Sequence, residues 1–327
     1  MAQSPPASST PTPSLPSVDV SPLTAKVKPV LDAMPKGRAM ADIEVLAKTP
    51  RHPKENEAET RAAASYIEQQ LSAAGLKPQQ IPVELDGITL PVVWAEITGT
   101  SCADRVFVLT GHYDTEPGTP GADDDASGIA AMLETARVLA KAEPSASIVV
   151  AGLPFEEEGP PYPAARALGQ HLQGSGKTIV GMLSAEMLGY ALPEPTADDE
   201  GDYLMLLGYQ GAETLVATFD AAAQAWTTSA KDWSGVEAGT YPPSTDFIAR
   251  SDHAAFYNLG VPAAFATDGA NFRTPHYHQP SDTPDNIVPD FFNGAVRTVV
   301  GGSYAMASLD SDSNGVAQAC EALPPTR

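Results

Sequence analysis

VFVLTGHYDTEPGTPGADDDASGIAAM, residues 106–132, begins as one kind of secondary structure and ends as another. Val106, Phe107, Val108 and Leu109 have the β-branched and aromatic composition of a strand buried on both faces. The run stops at Gly111, and His112 and Asp114 follow at the strand's carboxyl end. A Pro/Gly-rich loop then leads to Asp123, Asp124 and Asp125, after which Ile129, Met132, Leu133, Ala136 and Leu139 recur at helical spacing. Open α/β sheets keep their ligand sites between such a strand and such a helix. Three consecutive aspartates in that position repel one another unless a cation holds them, which points to a metal. The plainer reading is that Asp and Ser cap the helix and the loop is a turn. The other segments choose between the two.

The chain has 327 residues, 43% of them hydrophobic, enough to bury a large core. Its net charge is −22, from 19 Lys and Arg against 41 Asp and Glu. Such a surface repels phosphate backbones and anionic membranes, so neither nucleic acid nor membrane insertion is expected. No apolar run approaches the length of a bilayer span. Cys102 and Cys320 are too few for a thiolate zinc site, but they can pair and tie down the C-terminal tail in an oxidising compartment. Residues 1–21, rich in Pro, Ser and Thr, read as a disordered tail. An initiator Met placed on a signal-cleaved protein would look like this, so a secreted or periplasmic protein is expected. Residues 22–312 read as one domain and 313–327 as a C-terminal tail.

Between Pro22 and Lys48 the sequence predicts two short helices, broken at Pro35-Lys36-Gly37. Residues 55–74 form an amphipathic helix stopped by Gly75, and residues 78–99 form two strands joined at Asp86-Gly87. Ser147–Leu153, Ile179–Leu183 and Val261–Thr267 are further strands, with Leu204–Leu207 a candidate fourth. Helices are expected over 212–226 and 289–309, with a turn-rich excursion between 227 and 250. Strands alternating with helices predict a mostly parallel, mixed central sheet covered by helices on both faces, an α/β architecture of αβα sandwich type.

The strand ends carry the chemistry. His112, the aspartates 123–125, the glutamates 156–158, Glu186 and His278 all fall at the carboxyl ends of strands or in the loops after them. Each alone is more often a capping or solvated residue. Together they converge on one sheet edge. Imidazole and carboxylate without thiolate suit zinc, cobalt or manganese in a catalytic site. Where one of two adjacent glutamates binds metal, its neighbour can act as general base.

GHYD, PGADDDASG, the Glu-Glu-x-Gly at 156–159, the Glu of SAEMLGY and the His of PHYHQPSDT resemble peptidase family M28. These are zinc aminopeptidases related to the Aeromonas and Streptomyces leucine aminopeptidases, with the zinc exopeptidase (phosphorylase/hydrolase-like) fold. The resemblance runs from about Glu55 to Leu309 and says little about 227–250. It implies two Zn²⁺, with Co²⁺ or Mn²⁺ also suited to the ligands. His112 becomes a ligand of one ion, with Asp114 orienting it, and Asp124 bridges both ions, followed by a cis peptide bond. Glu156 becomes the base and Glu157 a ligand, while Glu186 and His278 complete the set. Glu186 stands where many relatives have Asp. Two divalent ions would be roughly offset by three carboxylates and a hydroxide.

The resemblance implies hydrolysis of the N-terminal peptide bond of peptides or proteins by a monomer, with Glu156 taking a proton from water. Met187, His253 and Tyr277 are candidate substrate contacts, His276 a loop residue, and His52 and His171 surface residues. The alternatives are a mono-zinc glutaminyl cyclase, a carboxypeptidase of the same family, and a non-catalytic peptidase-like binding protein. The full ligand set argues against the first and the last. The Glu at 186 keeps the carboxypeptidase open.

Overall fold

The computed structural model describes residues 14–35, 37–196, 200–227, 230, 232–310 and 316–321. At its centre is β3 (Cys102–His112), whose residues Val106–Leu109 are fully buried. Parallel to it on one side runs β4 (Ala146–Leu153), and on the other β5 (Thr178–Ala185). Ala146–Leu153 has no exposed residue, as a strand covered on both faces requires. The hairpin β1 (Gln79–Leu85) and β2 (Ile88–Ile97) turns through Asp86 and Gly87, both at positive φ, and adds antiparallel strands beside β4. Beyond β5 come β8 (Ala263–Thr267), β6 (Tyr203–Tyr209) and β7 (Gly235–Tyr241), giving the order β1-β2-β4-β3-β5-β8-β6-β7. The β3–β4, β3–β5, β5–β8 and β6–β7 pairings are parallel, and β1–β2, β2–β4 and β6–β8 are antiparallel.

Two hydrophobic cores flank the sheet. On one face α1 (Thr24–Asp32), α2 (Arg38–Leu46), α3 (Glu57–Ala73), α4 (Ala126–Leu139), α6 (Glu213–Trp226) and α8 (Pro289–Ser308) bury Ile43, Ile67, Ile129, Leu133, Phe219, Trp226 and Val299. On the other face α5 (Pro163–Gly174) and α7 (His253–Tyr257) bury Leu168, Leu172 and Phe256. Neither α5 nor α7 is foreseen in the sequence. The prolines at 160, 161 and 163 read as breakers, yet Pro163 sits in the first turn, where a missing N–H costs nothing. Helix α7 is a single short turn-and-a-half held by its neighbours.

Two further expectations need correction. The excursion 227–250 contains β7, an edge strand paired only with β6. Val236, Ala238 and Thr240 turn one face of it to the core, but Gly235, Gly239 and the intervening Glu237 leave GVEAGTY with a weak strand signature that the ladder to β6 completes. Of the expected tail, residues 1–13 lie outside the described residues, but Leu15 and Val18 pack on the core and Val20 is buried within it. At the other end, Ala317 and Ala319 are buried and Cys320 is disulfide-bonded to Cys102, across a sequence separation of 218.

The disulfide joins the amino end of β3 to the C-terminal segment. The candidate ligands lie at the carboxyl end of β3, roughly 30 Å away at about 3.3 Å per strand residue. A Cys102→Ser/Cys320→Ser chain is expected to lose about 2–4 kcal/mol of unfolding free energy, read in a denaturant melt, with its affinity for metal unchanged.

Candidate metal centre and active site

The parallel register sets the strand ends level. His112 pairs with Leu153, and Ala185 with Ala266, so the residues that follow β4, β5 and β8 emerge around His112. Phe155, Met187 and His278 all adopt positive φ, at 65°, 56° and 55°. This conformation is uncommon for residues with a Cβ and is held here by the surrounding packing. The chain bends sharply before Glu156, after Glu186 and at His278 itself. At the start of α4 the Asp124–Asp125 peptide bond is cis. Gly128 leaves room there, since a Cβ would run into the Ala185 carbonyl and the Asp125 carboxylate.

The side chains fall into two groups that share one residue. His112 Nε2 lies 3.2 Å from Asp124 Oδ1 and 3.4 Å from Glu186 Oε1. His278 Nε2 lies 3.2 Å from Asp124 Oδ2 and 3.2 Å from Glu157 Oε2. Asp124 thus presents one carboxylate oxygen to each group. Its Oδ2 is buried and, despite the nearby imidazole, has no hydrogen-bond partner. A buried carboxylate oxygen facing ligand-type atoms without a hydrogen bond fits a metal cation. Glu156 belongs to neither group. Its carboxylate is 4.0 Å from His112 Nε2, at the edge of the first group.

Around these groups the backbone supplies donors. Asp114 accepts hydrogen bonds from the amides of Glu156 and Glu157, each 3.2 Å, and so aligns the candidate base and a candidate ligand. His112 Nδ1 is 3.2 Å from the Asp114 carbonyl and 3.6 Å from its carboxylate. Asp125 accepts from the His112, Gly128 and Met187 amides, capping α4 and joining three elements. Asp282 accepts from the amides of Asp123 and Asp124, at 2.9 and 3.1 Å. Ser251 Oγ donates to Glu186 Oε2 at 2.7 Å. Arg51, 1% exposed, donates to the carbonyls of Leu46, Tyr113, Pro120 and Gly121 and clamps the loop that carries the aspartates.

Burial and mutual repulsion set the proton affinities. Burial, then Glu186, Asp252 and Glu157, push the Glu156 carboxyl well above the usual range, although His112 opposes them. Glu157 is pushed up to about 8 by burial and by Asp124. For Asp124 burial acts against ionisation, but His112 and His278 outweigh it and hold the carboxyl below the ordinary range. Burial lowers the affinity of His278 for a proton, while Asp124 and Glu157 more than reverse this and carry it up to about 10. Burial pulls Arg51 down to about 10, so it remains a cation at neutral pH.

The structure brings His112, Asp114, Asp124, Glu156, Glu157, Glu186 and His278 together. Tyr277 lines the adjoining cavity, its ring stacked on His278 with centroids 3.6 Å apart. Met187 does not line it. Its side chain is buried, only its amide takes part, and Met205 of β6 fills the role instead. His253 is likewise corrected. Fully buried, it has Nε2 2.6 Å from the Ile248 carbonyl and its ring stacked on Phe265, and burial lowers its pKa to about 3. It braces the loop before α7. His52 is buried rather than on the surface, and its Nδ1 accepts from the Glu55 amide. His171 is exposed, and His276 Nδ1 meets Ser281 Oγ at 2.9 Å. Arg51, Glu116, Ser251 and Asp252 had not been singled out. Ser251 and Asp252 immediately precede His253, and no local pattern marks Arg51 or Glu116.

The cavity, about 220 Å³, runs from Glu186 over the exposed face of β8, β6 and β7. Tyr203, Met205 and Leu207 point into it from alternate positions of β6, while Leu204 and Leu206 face the core. Tyr241, Phe247, Phe265 and Phe272 close the walls, with Glu237 and Arg250 at exposed positions on the rim.

In the metal-free chain His278, with its pKa carried up to about 10, holds a proton at neutral pH, and the carboxylates around His112 raise its proton affinity too, yet an imidazole binds metal only as the neutral base. Metal uptake at pH 7 is therefore expected to release protons, and apparent affinity to fall as pH is lowered. Calorimetric titration with Zn²⁺ in buffers of different ionisation enthalpy measures this; no proton release would contradict the assigned charge states.

Comparison with known proteins agrees with this geometry. YfbL of Escherichia coli, described as uncharacterized, is 28% identical over 81% of this chain and 89% of its own length. A probable zinc metalloprotease of Pyrenophora tritici-repentis is 29% identical over 62% of the chain, which spans about half that protein, 46%. Among solved structures, the LapA aminopeptidase of Legionella pneumophila matches with a TM-score of 0.71 at 18% identity, over 91% of this chain and 78% of that one. A Porphyromonas gingivalis glutaminyl cyclase matches at 0.61 and 19%, over 83% of this chain and 98% of that one, so the fold alone does not choose the reaction. The profile of Peptidase family M28 matches residues 92–301, which hold His112, Asp124, Glu156, Glu157, Glu186 and His278, and the chain belongs to that family.

Proposed function

We propose that this chain is a dinuclear zinc aminopeptidase that removes bulky apolar residues from peptide N-termini. The observation that carries the reading is the sharing of Asp124 between two ligand groups. His112, Asp124 and Glu186 would hold one ion, and His278, Asp124 and Glu157 the other. Bound there, the ions supply Lewis acidity and bring the pKa of water towards neutrality. Glu156, outside both groups but against them, takes the proton from water and returns it to the leaving amine. Its raised proton affinity suits that shuttle, and Asp114 holds its backbone in place. The carboxylates around Glu186, at the head of the cavity, favour a free α-ammonium there, and the apolar walls take the first side chain. The aminopeptidase named among the structural neighbours supports the same choice.

We extend the reading to a monomer in an oxidising compartment, periplasmic or secreted. The Cys102–Cys320 disulfide supports the compartment. Among the described residues only Val45 and Val316 are exposed large hydrophobics, which leaves little for a stable interface between copies.

Elemental analysis is expected to find two zinc ions per chain, and aminoacyl-nitroanilides to be hydrolysed while their N-acetylated counterparts are not. In Glu156→Gln, kcat is expected to fall by about 10²–10⁴ with zinc content unchanged. One zinc ion per chain, with cyclisation of an N-terminal glutamine peptide instead, would overturn the proposal.

Met205→Trp, which fills the cavity without touching a ligand, tests the pocket. It is expected to lower kcat/KM for phenylalanyl-nitroanilide by at least about tenfold, the scale of a lost hydrophobic subsite, while largely sparing alanyl-nitroanilide. Equal losses on both substrates would remove the cavity from the specificity argument.

A further inference from the structure

Glu116 follows Asp114 by two residues in the loop leaving β3, and it touches both residues that complete the second ligand group. Its amide donates to Glu157 Oε1 at 3.2 Å. Its carboxylate Oε1 lies 3.7 Å from His278 Nδ1, on the far side of the ring from Asp124 and Glu157. An imidazole that binds metal through Nε2 carries its proton on Nδ1, and the group facing that proton sets the ring's orientation and basicity. At His112 that place is taken by Asp114, whose carbonyl and carboxylate oxygens lie 3.2 and 3.6 Å from Nδ1. At His278 the described carboxylate in the equivalent place is that of Glu116. Residues 112, 114 and 116 thus supply, at a two-residue period, one ligand and an acid behind each of the two imidazoles.

His278 needs such a brace more than His112 does. It lies in a loop at a φ of 55°, and its side chain is 29% exposed against 1% for His112. Tyr277 stacks on the ring but leaves its rotation in plane to the groups at its edges. The distance of 3.7 Å is just beyond the roughly 3.2 Å limit of a direct hydrogen bond, and such contacts shorten when a site is loaded.

We propose that Glu116 is a positioning residue for the second metal, orienting His278 through Nδ1 and Glu157 through its own amide. This rests on the two-metal reading above. Of the two contacts only the first depends on the side chain. The competing role is that Glu116 is itself a ligand, since Glu116, Glu157 and His278 offer atoms within 4.8 Å of one another.

The test is to dialyse the zinc-loaded enzyme against graded chelator and measure zinc per chain, for the native protein and for Glu116→Ala, Glu116→Gln and Glu157→Gln. Glu116→Ala is expected to release one of two ions at about 10–100-fold lower chelator strength, the usual cost of removing such a partner, with the other ion retained as in the native chain. Glu116→Gln keeps a carbonyl oxygen to accept the Nδ1 proton and should restore most of that affinity. Glu157→Gln should lose the same ion outright. Native retention of both ions in Glu116→Ala overturns the proposal, and so does a Gln variant as weak as the Ala variant, which would make Glu116 a ligand. A native chain holding one ion overturns the two-metal reading first and this proposal with it, whereas a Glu157→Gln chain holding two leaves that reading standing and overturns the proposal's assignment of Glu157 to the second ion. Residue 116 is partly exposed in a loop, so unchanged melting of the stripped variants separates lost metal from lost fold.

Discussion

Asp124 faces two ways, and the rest of the site is arranged to keep it there. One oxygen is directed at His112 and the other at His278, two residues 166 positions apart in the sequence and on opposite sides of the carboxylate. A carboxylate can serve two partners at once only if its backbone cannot swing. Asp282 accepts from the amides on either side of the Asp123–Asp124 bond, and Asp125 ties the next residue into α4. Arg51 reaches under the loop to its carbonyls. Free rotation of that one side chain would merge two ligand groups into a single acidic cleft.

Holding so many acids out of water is costly, and the fold meets the cost with dipoles more than with ions. Strand ends and the start of α4 point amides at Asp114, Asp123, Asp125 and Asp282. Arg51 is the fully buried cation beside them, and it too is saturated by backbone carbonyls. The acids that face the cleft are less well provided: Asp124 Oδ2 and both oxygens of Asp252 are buried without a hydrogen bond. Amides satisfy Asp114, Asp125 and Asp282, whereas Asp123 keeps one buried oxygen, Oδ2, without a hydrogen bond. Burial first, and the neighbouring carboxylates after it, raise the proton affinity of Glu156 and Glu157, and burial does the same to Asp123, Asp125 and Asp282 behind them.

The apolar cavity that the proposed function uses for specificity belongs to the other half of the sheet. The cavity lies where β8, β6 and β7 extend beyond the helices α5 and α7, so a face that would otherwise be core is open. Glu186 follows the last residue of β5 and opens the cavity, joining the two regions at one residue. On the proposed reading, proton transfer and recognition of the first side chain are set by different strands, so that substitutions in β6 or β7 change the second without touching the first.

Much of this was legible in residue order. The buried run 106–109, the strands at 147–153 and 179–183 and the hairpin turn at Asp86-Gly87 follow from composition and period, because local burial and turn geometry leave strong marks. The acids and histidines at the strand ends were legible for the same reason: a sheet places the ends of its parallel strands together, so their sequence positions imply a shared edge. Other features depend on neighbours distant in the chain. Strand β7 has a weak signature that pairing with β6 completes; Arg51 is recognisable only once four carbonyls surround it; His253 and Met187 looked available until packing buried them. Glu116 acquires a role only when the loop at 278 folds back to face it. The sequence by itself determined which chemical groups gather at the carboxyl edge of the sheet. Only the tertiary structure decided which oxygen faces which imidazole, and which wall the substrate meets, because those distances depend on contacts between segments that share no local signal.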